Sequence, residues 1–331
     1  MRRLLLCCAI VALLAHAYAV ASPADLAKKA YSAEQSASFT GVMVNTVFLP
    51  GGAESSIVKT QRLRSKSRMD YLSGPLRGTT VLEHGRSVYK LDKASSSITA
   101  TTTAERPSSL ELLLANYRVV DAGAARVAGR RVQALRLEPK QTGNPKVKLW
   151  VDSLTNVVLR NERYLYDGRL AARSEYRSID YTSVPRTSAF ALPAGWRRIA
   201  ASSGAQTMSM DRLKAKVGFA LLKPSYVPSG YVLAGSFLQT TGRGMPMAAL
   251  KYTNGLTTIS VFEHRCPGGG QGCGGCGMGR RRAMGMGRGC GQCILRSDPQ
   301  AQVAQRFVGD LMVVVMGNVS PRMVQKMAES F

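Results

Sequence analysis

The sequence has few histidines, three in 331 residues, and few acidic residues, with 20 Asp and Glu against 45 Lys and Arg. Outside the N-terminal apolar stretch only His84 and His264 remain, and neither lies in a Ser-His-Asp or Cys-His pattern. The carboxylates are scattered, without a local signature of the paired acids that glycosidases use. We therefore expect a binding protein and not an enzyme.

Long apolar runs are also scarce, since no segment after the N-terminus approaches the roughly 18 residues that a membrane-spanning helix needs. The chain begins with two arginines, continues with an apolar run over residues 4–14, and reaches small residues at Ala19 and Ala21. This pattern is typical of a secretory signal peptide over residues 1–21. It predicts a soluble, exported protein that works in the periplasm.

The remaining chain is strongly basic. Loss of Arg2 and Arg3 with the signal peptide lowers the basic count from 45 to 43, which leaves a net charge of about +23 against 20 acids. Such a charge favours an anionic surface, either lipid head groups or an acidic protein, and export argues against nucleic acid. The alternative interpretation is that arginine simply forms the solvated surface.

Residues 22–183 have the pattern of a long antiparallel sheet with a few helices. Residues 25–36 form a predicted helix with Asp25 as N-cap, and residues 110–117 a second helix. Pairs that end in glycine predict two-residue hairpin turns, and these pairs are His84-Gly85, Asp167-Gly168 and Asn254-Gly255.

The alternation in KVKLWVD, residues 146–152, predicts one apolar face and one wet face. Val147, Leu149 and Val151 fall on the apolar face, and Trp150 falls on the wet one.

The proline-marked residues 184–207 are predicted to be an extended linker, and residues 208–331 a smaller α+β domain. In that domain residues 210–219 form a predicted helix, residues 299–307 a second one, and Ser320-Pro321 begins a last helix. The strands are predicted at residues 231–239, 248–253, 256–263 and 310–316.

A Cys/Gly-rich insertion is predicted at residues 266–293. Two Cys-x-x-Cys pairs stand thirteen residues apart within it, and four thiolates can hold zinc tetrahedrally or bind Cu(I). His264 and Cys266, just upstream, are possible substitute ligands. The candidate metal ligands are Cys273, Cys276, Cys290 and Cys293.

Two other interpretations of this insertion stay open. In an oxidising compartment four of the five mature cysteines would pair as disulfides and leave Cys266 over. The five glycines between the pairs are equally consistent with a flexible segment that has no defined chemistry.

Three stretches carry distinctive strand and turn motifs. RVAGRRVQALRLEPK (126–140) carries an AGR turn, and residues 146–181 carry an LWVD strand, a TN turn and a YDG hairpin before a final IDY. The third stretch is the strand SFTGVMVNTVF (38–48). Together they resemble the MucB/RseB family of periplasmic sigma-factor regulators, whose first strand is similar to residues 38–48, and the wider LolA-like lipoprotein-carrier group.

The second half of the chain resembles the domain that follows LolA-like domains in exported bacterial proteins. ALPAGWRR (191–198) resembles the entry to that domain, and LLKPSYVPSGYVLAGS (221–236) and residues 309–330 resemble the domain itself. The loop at residues 141–145 departs from the family, because it lacks an aromatic-basic turn, and so does the Cys/Gly-rich insertion.

The resemblance implies a curved antiparallel half-barrel with covering helices, whose apolar concave face accepts acyl chains, followed by a domain that contacts the periplasmic part of an anti-sigma factor. We accordingly expect an envelope-stress regulator that binds an anti-sigma factor, senses a lipid, or both. The alternatives are a periplasmic lipoprotein or lipid carrier, and a metal-binding or thiol-redox protein. No residues for lipid or partner binding follow from the sequence.

Overall fold

The computed structural model describes residues 22–85, 87–102, 110–200, 206–241, 244–266 and 300–331. Over these ranges the chain forms two β-sheets with helices packed against them. The α+β class predicted from the sequence is confirmed, and the larger sheet is open and not a closed barrel. Among the helices in these ranges, none has both the length and the apolar character that crossing a bilayer requires.

The first part of the chain builds the large sheet. Its helices are α1 (Pro23–Ser36), α2 (Leu110–Asn116) and a 3-10 helix (Thr187–Phe190). Its strands are β1 (Ser38–Leu49), β2 (Gly52–Leu63), β3 (Lys66–Tyr71), β4 (Thr79–His84), β5 (Ser87–Asp92), β6 (Ser97–Thr102), β7 (Tyr117–Val127), β8 (Arg130–Pro139), β9 (Val147–Asp152), β10 (Val158–Tyr164), β11 (Leu170–Asp180) and β12 (Arg197–Ala200).

The strands of the large sheet follow the order β12-β6-β5-β4-β3-β2-β1-β11-β10-β9-β8-β7 in the described residues. Hairpins add β2 to β6 on one side of β1, and β11 closes against its other side with Asn45 opposite Ser174. The neighbours are antiparallel except β12, which pairs with β6 in parallel. Helix α1 buries Ala27 and Ala30 against Leu135 and Val151.

The last part of the chain builds the small sheet. Its helices are α3 (Met210–Val217) and α4 (Pro321–Glu329), and its strands are β13 (Gln206–Thr207), β14 (Val232–Thr240), β15 (Pro246–Thr253), β16 (Thr258–Arg265), β17 (Gln302–Val308) and β18 (Leu311–Gly317). The described strands follow the order β13-β14-β15-β16-β18-β17.

Helices α3 and α4 cover one face of the small sheet. Leu213 of α3 and Val324 and Met327 of α4 are fully buried against Val261 and Val313 of the sheet. The spacing of three positions between Val324 and Met327 puts both on one side of α4. Burial of each such side chain stabilises the fold by about 1.5–3 kcal/mol.

The predicted N-cap of α1 was one turn too late. The Ser22 hydroxyl accepts a hydrogen bond from the Asp25 backbone N–H at 3.1 Å, and Pro23 is the first helical residue. Proline suits this position because its missing N–H would have no partner there. Asp25 therefore lies inside the first turn, where its carboxylate pairs with Lys28 at 3.1 Å.

The predicted helix at residues 299–307 is wrong, because these residues form strand β17. Val303 and Phe307 pack with Met312 and Val314 of β18 on one face, and Ala304 packs on the opposite face. Side chains that alternate between two faces in this way are typical of a strand. The strand forms here because β18 pairs with it.

The wet face predicted for β9 is also wrong. Trp150 is buried because it packs with Ala134 and Leu159 in the core. Lys148 and Arg160 also stack on its ring, at 4.6 and 4.3 Å from the centroid. Asp152 is buried because its carboxylate pairs with Arg130.

The three predicted hairpins are confirmed as antiparallel pairs. Two of their turns are longer than two residues, since Tyr164 pairs with Leu170 and Thr253 pairs with Thr258. In the second turn the Asn254 carboxamide oxygen accepts from the Thr257 backbone N–H at 2.9 Å, a contact that replaces the hydrogen bonds of a tight turn.

Residues 184–200, predicted as extended linker, pack onto the large sheet. Phe190 is 2 % exposed, and the Ala189 carbonyl accepts a hydrogen bond from Arg68 at 2.8 Å. Strand β12 then pairs with β6. This part of the predicted linker is therefore tied to the large sheet.

Candidate functional site

The two sheets meet at a joint formed by the end of α2 with the 141–144 loop on one side, and by the 228–231 and 254–257 turns on the other. The Asn116 carboxamide nitrogen lies within hydrogen-bond distance of three carbonyl oxygens there, of Leu112 at 3.0 Å, Gly230 at 2.9 Å and Asn254 at 3.1 Å, and its two hydrogens are shared among them. Because Asn116 ends a helix, it lies where backbone carbonyls lack helical partners. One side chain thus binds both sides of the joint.

A second asparagine completes the joint. Asn144 is 4 % exposed, and its carboxamide oxygen accepts from the Tyr231 hydroxyl at 2.7 Å and from the Asn254 nitrogen at 3.1 Å. Burial raises the pKa of the Tyr117 phenol to about 12 and that of Tyr231 further. Both phenols therefore stay neutral, and the joint is a buried network of uncharged hydrogen bonds.

Two glycines let the backbones approach each other across the joint. Gly255 has φ +94°, and a Cβ placed on it would lie 2.5 Å from the Leu113 backbone nitrogen. Gly230 has φ +83°, and its Cβ would lie 1.9 Å from the Asn116 carboxamide oxygen. Both positions therefore require glycine for space as well as for conformation.

Apolar contacts and the last helix reinforce the joint. Leu113 of α2 and Leu256 of the 254–257 turn both pack onto the cluster that contains Tyr117. The Ser320 backbone N–H, at the start of α4, donates to the Gly143 carbonyl at 2.8 Å. The two sheets are thus held in one relative arrangement.

Replacing Asn116 by alanine is expected to lower the free energy of unfolding by about 2 kcal/mol, because it leaves buried carbonyls without a donor. Urea unfolding followed by circular dichroism measures the change. The control is Ser229→Ala, an exposed residue of the neighbouring turn. Equal stability of the two variants would show that Asn116 does not hold the joint.

A row of polar side chains crosses the large sheet on the face that α1 covers. We call it the asparagine row, and it consists of Asn45, Ser174 and Asn161 on neighbouring strands. Asn45 and Asn161 both lie opposite Ser174, and Asn161 also lies opposite Leu149, which packs in the α1 cluster. Cross-strand neighbours share a face. The carboxamide oxygens of Asn45 and Asn161 are buried and have no hydrogen-bond partner in the described part of the chain. Such acceptors are unusual, because buried polar groups in folded proteins are normally hydrogen-bonded.

The small sheet buries one carboxyl group completely. Glu263 is 0 % exposed, and one of its oxygens accepts from the Leu222 backbone N–H at 2.9 Å. The other oxygen has no partner among the described residues. Burial raises the pKa of Glu263 to about 7, and the hydrogen bond from Leu222 offsets part of that rise.

The predicted metal ligands Cys273, Cys276, Cys290 and Cys293 lie outside the described residues, so a zinc or Cu(I) site stays a prediction. The described residues contain no cluster of three or more metal-ligating side chains. His264 is buried, with its Nδ1 atom 3.0 Å from the Arg265 carbonyl oxygen.

Cys266 corrects one expectation about the cysteines. It is 2 % exposed, packs with Met312 and Val314, and is disulfide-bonded. The expectation that Cys266 is the cysteine left over is therefore wrong, and in the disulfide its sulfur is not a free thiolate for a metal.

The joint and the asparagine row were not predicted from the sequence. The one local signal was Asn254-Gly255, which predicted a turn and gave no indication of the contact partner. Asn116 and Asn254 are 138 positions apart, and such a contact leaves no periodicity to recognise.

Comparisons with known proteins agree with this architecture. A sequence model of the MucB/RseB N-terminal domain matches residues 22–194. The solved Pseudomonas aeruginosa MucA/MucB complex aligns with a TM-score of 0.64 at 18 % identity, covering 93 % of this chain and 97 % of the matched chain. A crystal structure of MucB aligns with a TM-score of 0.57 at 19 % identity, covering 94 % and 98 %. No curated protein sequence matches the chain. The shared fold extends over both sheets.

Proposed function

Because the chain belongs to the MucB/RseB family, we propose that it is an exported, non-enzymatic protein of the periplasm that regulates an envelope-stress sigma factor. It does so by binding the periplasmic domain of a membrane-bound anti-sigma factor. The large sheet is the LolA-like half-barrel of this proposal, with α1 as a covering helix, and the small sheet is its C-terminal domain.

Similarity over the whole chain supports this partner. The aligned structures include MucB in complex with the periplasmic part of MucA, with a TM-score of 0.62 over 93 % of this chain at 18 % identity. The joint fixes the two sheets relative to each other, so a partner can contact both without first ordering them. Pre-organisation of this kind lowers the entropic cost of binding.

The asparagine row is the observation that favours a protein partner over an acyl chain. Two buried carboxamide oxygens without donors, those of Asn45 and Asn161, would stay unpaired beside a hydrocarbon chain. Both oxygens are covered in the free chain, so a ligand would reach them only after the segment over them moves. A polypeptide would then bring backbone N–H groups that pair with them. The row therefore favours a peptide ligand on this face.

The basic charge of the chain suits an acidic protein partner, and it suits an anionic lipid equally. The sequence carries 45 basic and 20 acidic residues. An acidic segment of the partner would be attracted over a long range and associate faster at low ionic strength.

The lipid or lipoprotein carrier is the second function we consider. The apolar side chains of Leu135 and Val151, which pack against α1, support this alternative. Acyl chains in the extracted native protein, detected by mass spectrometry, would support it. A native protein without lipid that binds an anti-sigma domain supports the regulator instead.

Leucine at both Asn45 and Asn161 is expected to weaken binding of the anti-sigma ectodomain from the same genome by at least tenfold, because two acceptors are lost at about 1 kcal/mol each. Isothermal titration calorimetry measures the affinity. The control is Thr46→Val, whose side chain points to the opposite face of β1. If the leucine variant binds as tightly as the control, the row does not contact the partner.

A further inference from the structure

A pocket of about 360 Å³ lies in the small-sheet part of the chain. Helix α3, the 221–227 segment and the facing strands β14 and β15 enclose it. Leu222 and Leu250 belong to its apolar lining, and Leu233 at its edge is 45 % exposed. The volume lies near the small end of the range for ligand pockets, roughly 300–1,000 Å³.

The polar lining of the pocket is sparse and basic. Lys214 of α3 and Lys223 of the 221–227 segment contribute ammonium groups, and Tyr252 contributes a hydroxyl. Both lysines are exposed, and neither pairs with a carboxylate among the residues that the structure describes. No acidic side chain of the described residues lines the pocket, since Glu263 lies beyond Leu222 and binds its backbone N–H.

An apolar pocket with two cations selects for a particular ligand chemistry. A peptide that entered it would bury backbone N–H and C=O groups among side chains that offer few partners, at a cost of about 1–3 kcal/mol for each unpaired group. A hydrocarbon chain has no such groups. If the chain carries an anionic head group, that group would reach Lys214 and Lys223, whose flexible stems allow both ammonium groups to approach one anion.

We propose that this pocket binds a single-chain anionic amphiphile of the fatty-acid type, with its chain among Leu222, Leu233 and Leu250 and its carboxylate between Lys214 and Lys223. The lining of the site shares no residue with the asparagine row or with the turns of the joint. It does not rest on the proposed function, because it needs neither an anti-sigma factor nor the large sheet.

The probe is sodium dodecanoate, titrated into the full-length mature protein below its micelle concentration. Calorimetry should give one site per chain. The variant Lys214→Gln with Lys223→Gln should bind roughly tenfold more weakly, since two ion pairs are lost. The matched control, Lys216→Gln with Lys93→Gln, removes the same charge from exposed residues outside the pocket and should bind like the wild type.

Two further titrations test where the ligand binds and which charge it carries. Leu233→Trp fills the mouth from an exposed position that the core does not need, and it should abolish binding. Dodecyltrimethylammonium has the same chain with a cationic head and should bind at least tenfold more weakly than dodecanoate.

Several outcomes would overturn the proposal. They are no dodecanoate binding by the wild type, equal affinity in the pocket-lysine and control variants, and equal affinity for the cationic amphiphile. Ectodomain binding is measured separately, so failure of this proposal leaves the proposed function untouched, and the reverse also holds.

Discussion

Gly255→Ala is expected to separate the two sheets and to lower the free energy of unfolding by about 3 kcal/mol or more. The added Cβ would lie 2.5 Å from the backbone nitrogen of Leu113 and 2.7 Å from its Cα atom. Backbone atoms cannot move aside as the end of a side chain can, so the 254–257 turn has to withdraw from α2. Asn254 then loses its contacts with Asn116 and Asn144.

The control for this variant is Gly309→Ala. Gly309 also has positive φ, at +60°, but a Cβ placed there meets no atom within 4 Å. It therefore reports the cost of the strained backbone alone, about 1–2 kcal/mol.

Small-angle scattering should show a larger radius of gyration for Gly255→Ala, and urea unfolding should separate into two transitions. The control should keep the radius of the wild type and unfold in as many transitions as the wild type, at a lower urea concentration. An unchanged radius in Gly255→Ala would contradict the role given to the joint.

The mature protein is expected to lose stability as pH rises from about 4.5 to above 7, by about 3 kcal/mol through Glu263 alone. The pKa of Glu263 is about 7 in the folded chain, against an ordinary value of 4.5. The folded state therefore binds the proton more tightly than the unfolded state. The stability that the protonated Glu263 contributes is fully present below pH 4.5. It is lost as pH rises through 7, where the carboxyl must ionise without solvent.

Glu263→Gln removes this dependence, because the amide stays neutral at every pH while its oxygen can still accept from Leu222. The variant should match the wild type near pH 5 and exceed it near pH 8. Urea unfolding at the two pH values measures the difference. Glu54→Gln, at an exposed position of β2, is the control and should follow the wild type. A wild-type and a Glu263→Gln protein with parallel pH profiles would show that Glu263 does not titrate in this range.

Local patterns predicted most of the strands. Pairs that end in glycine marked the hairpins, and the apolar run in β18 marked a buried strand, because both signals lie within a few residues. The N-cap of α1 was misplaced because Ser22 and Asp25 are both good capping residues, and only the hydrogen bond to the Asp25 N–H distinguishes them.

Tertiary pairing decided what local patterns could not. Gln and Ala in β17 are compatible with a helix, and the strand is stabilised by its pairing with β18. Trp150 was assigned to solvent because its neighbours along β9 are charged, whereas Lys148 and Arg160 stack over its ring. A charged neighbour in the sequence is therefore no sign of exposure when its aliphatic stem or its cation covers an aromatic ring.

The candidate site could not be predicted from the sequence for a related reason. The asparagines of the joint belong to segments 110 and 138 positions apart, and each is an ordinary turn or helix-end residue when considered locally. The resemblance to a family nevertheless identified the architecture that brings them together, because strand and turn patterns in both halves of the chain carried it.

The most direct test of the proposed function is a calorimetric titration of the mature protein with the anti-sigma ectodomain from the same genome. The wild type and Gly309→Ala should each bind one ectodomain with equal affinity, and Gly255→Ala should bind at least tenfold more weakly, because its two sheets no longer present one surface. A wild type that does not bind, or a Gly255→Ala variant that binds like the wild type, would contradict a partner held across both sheets.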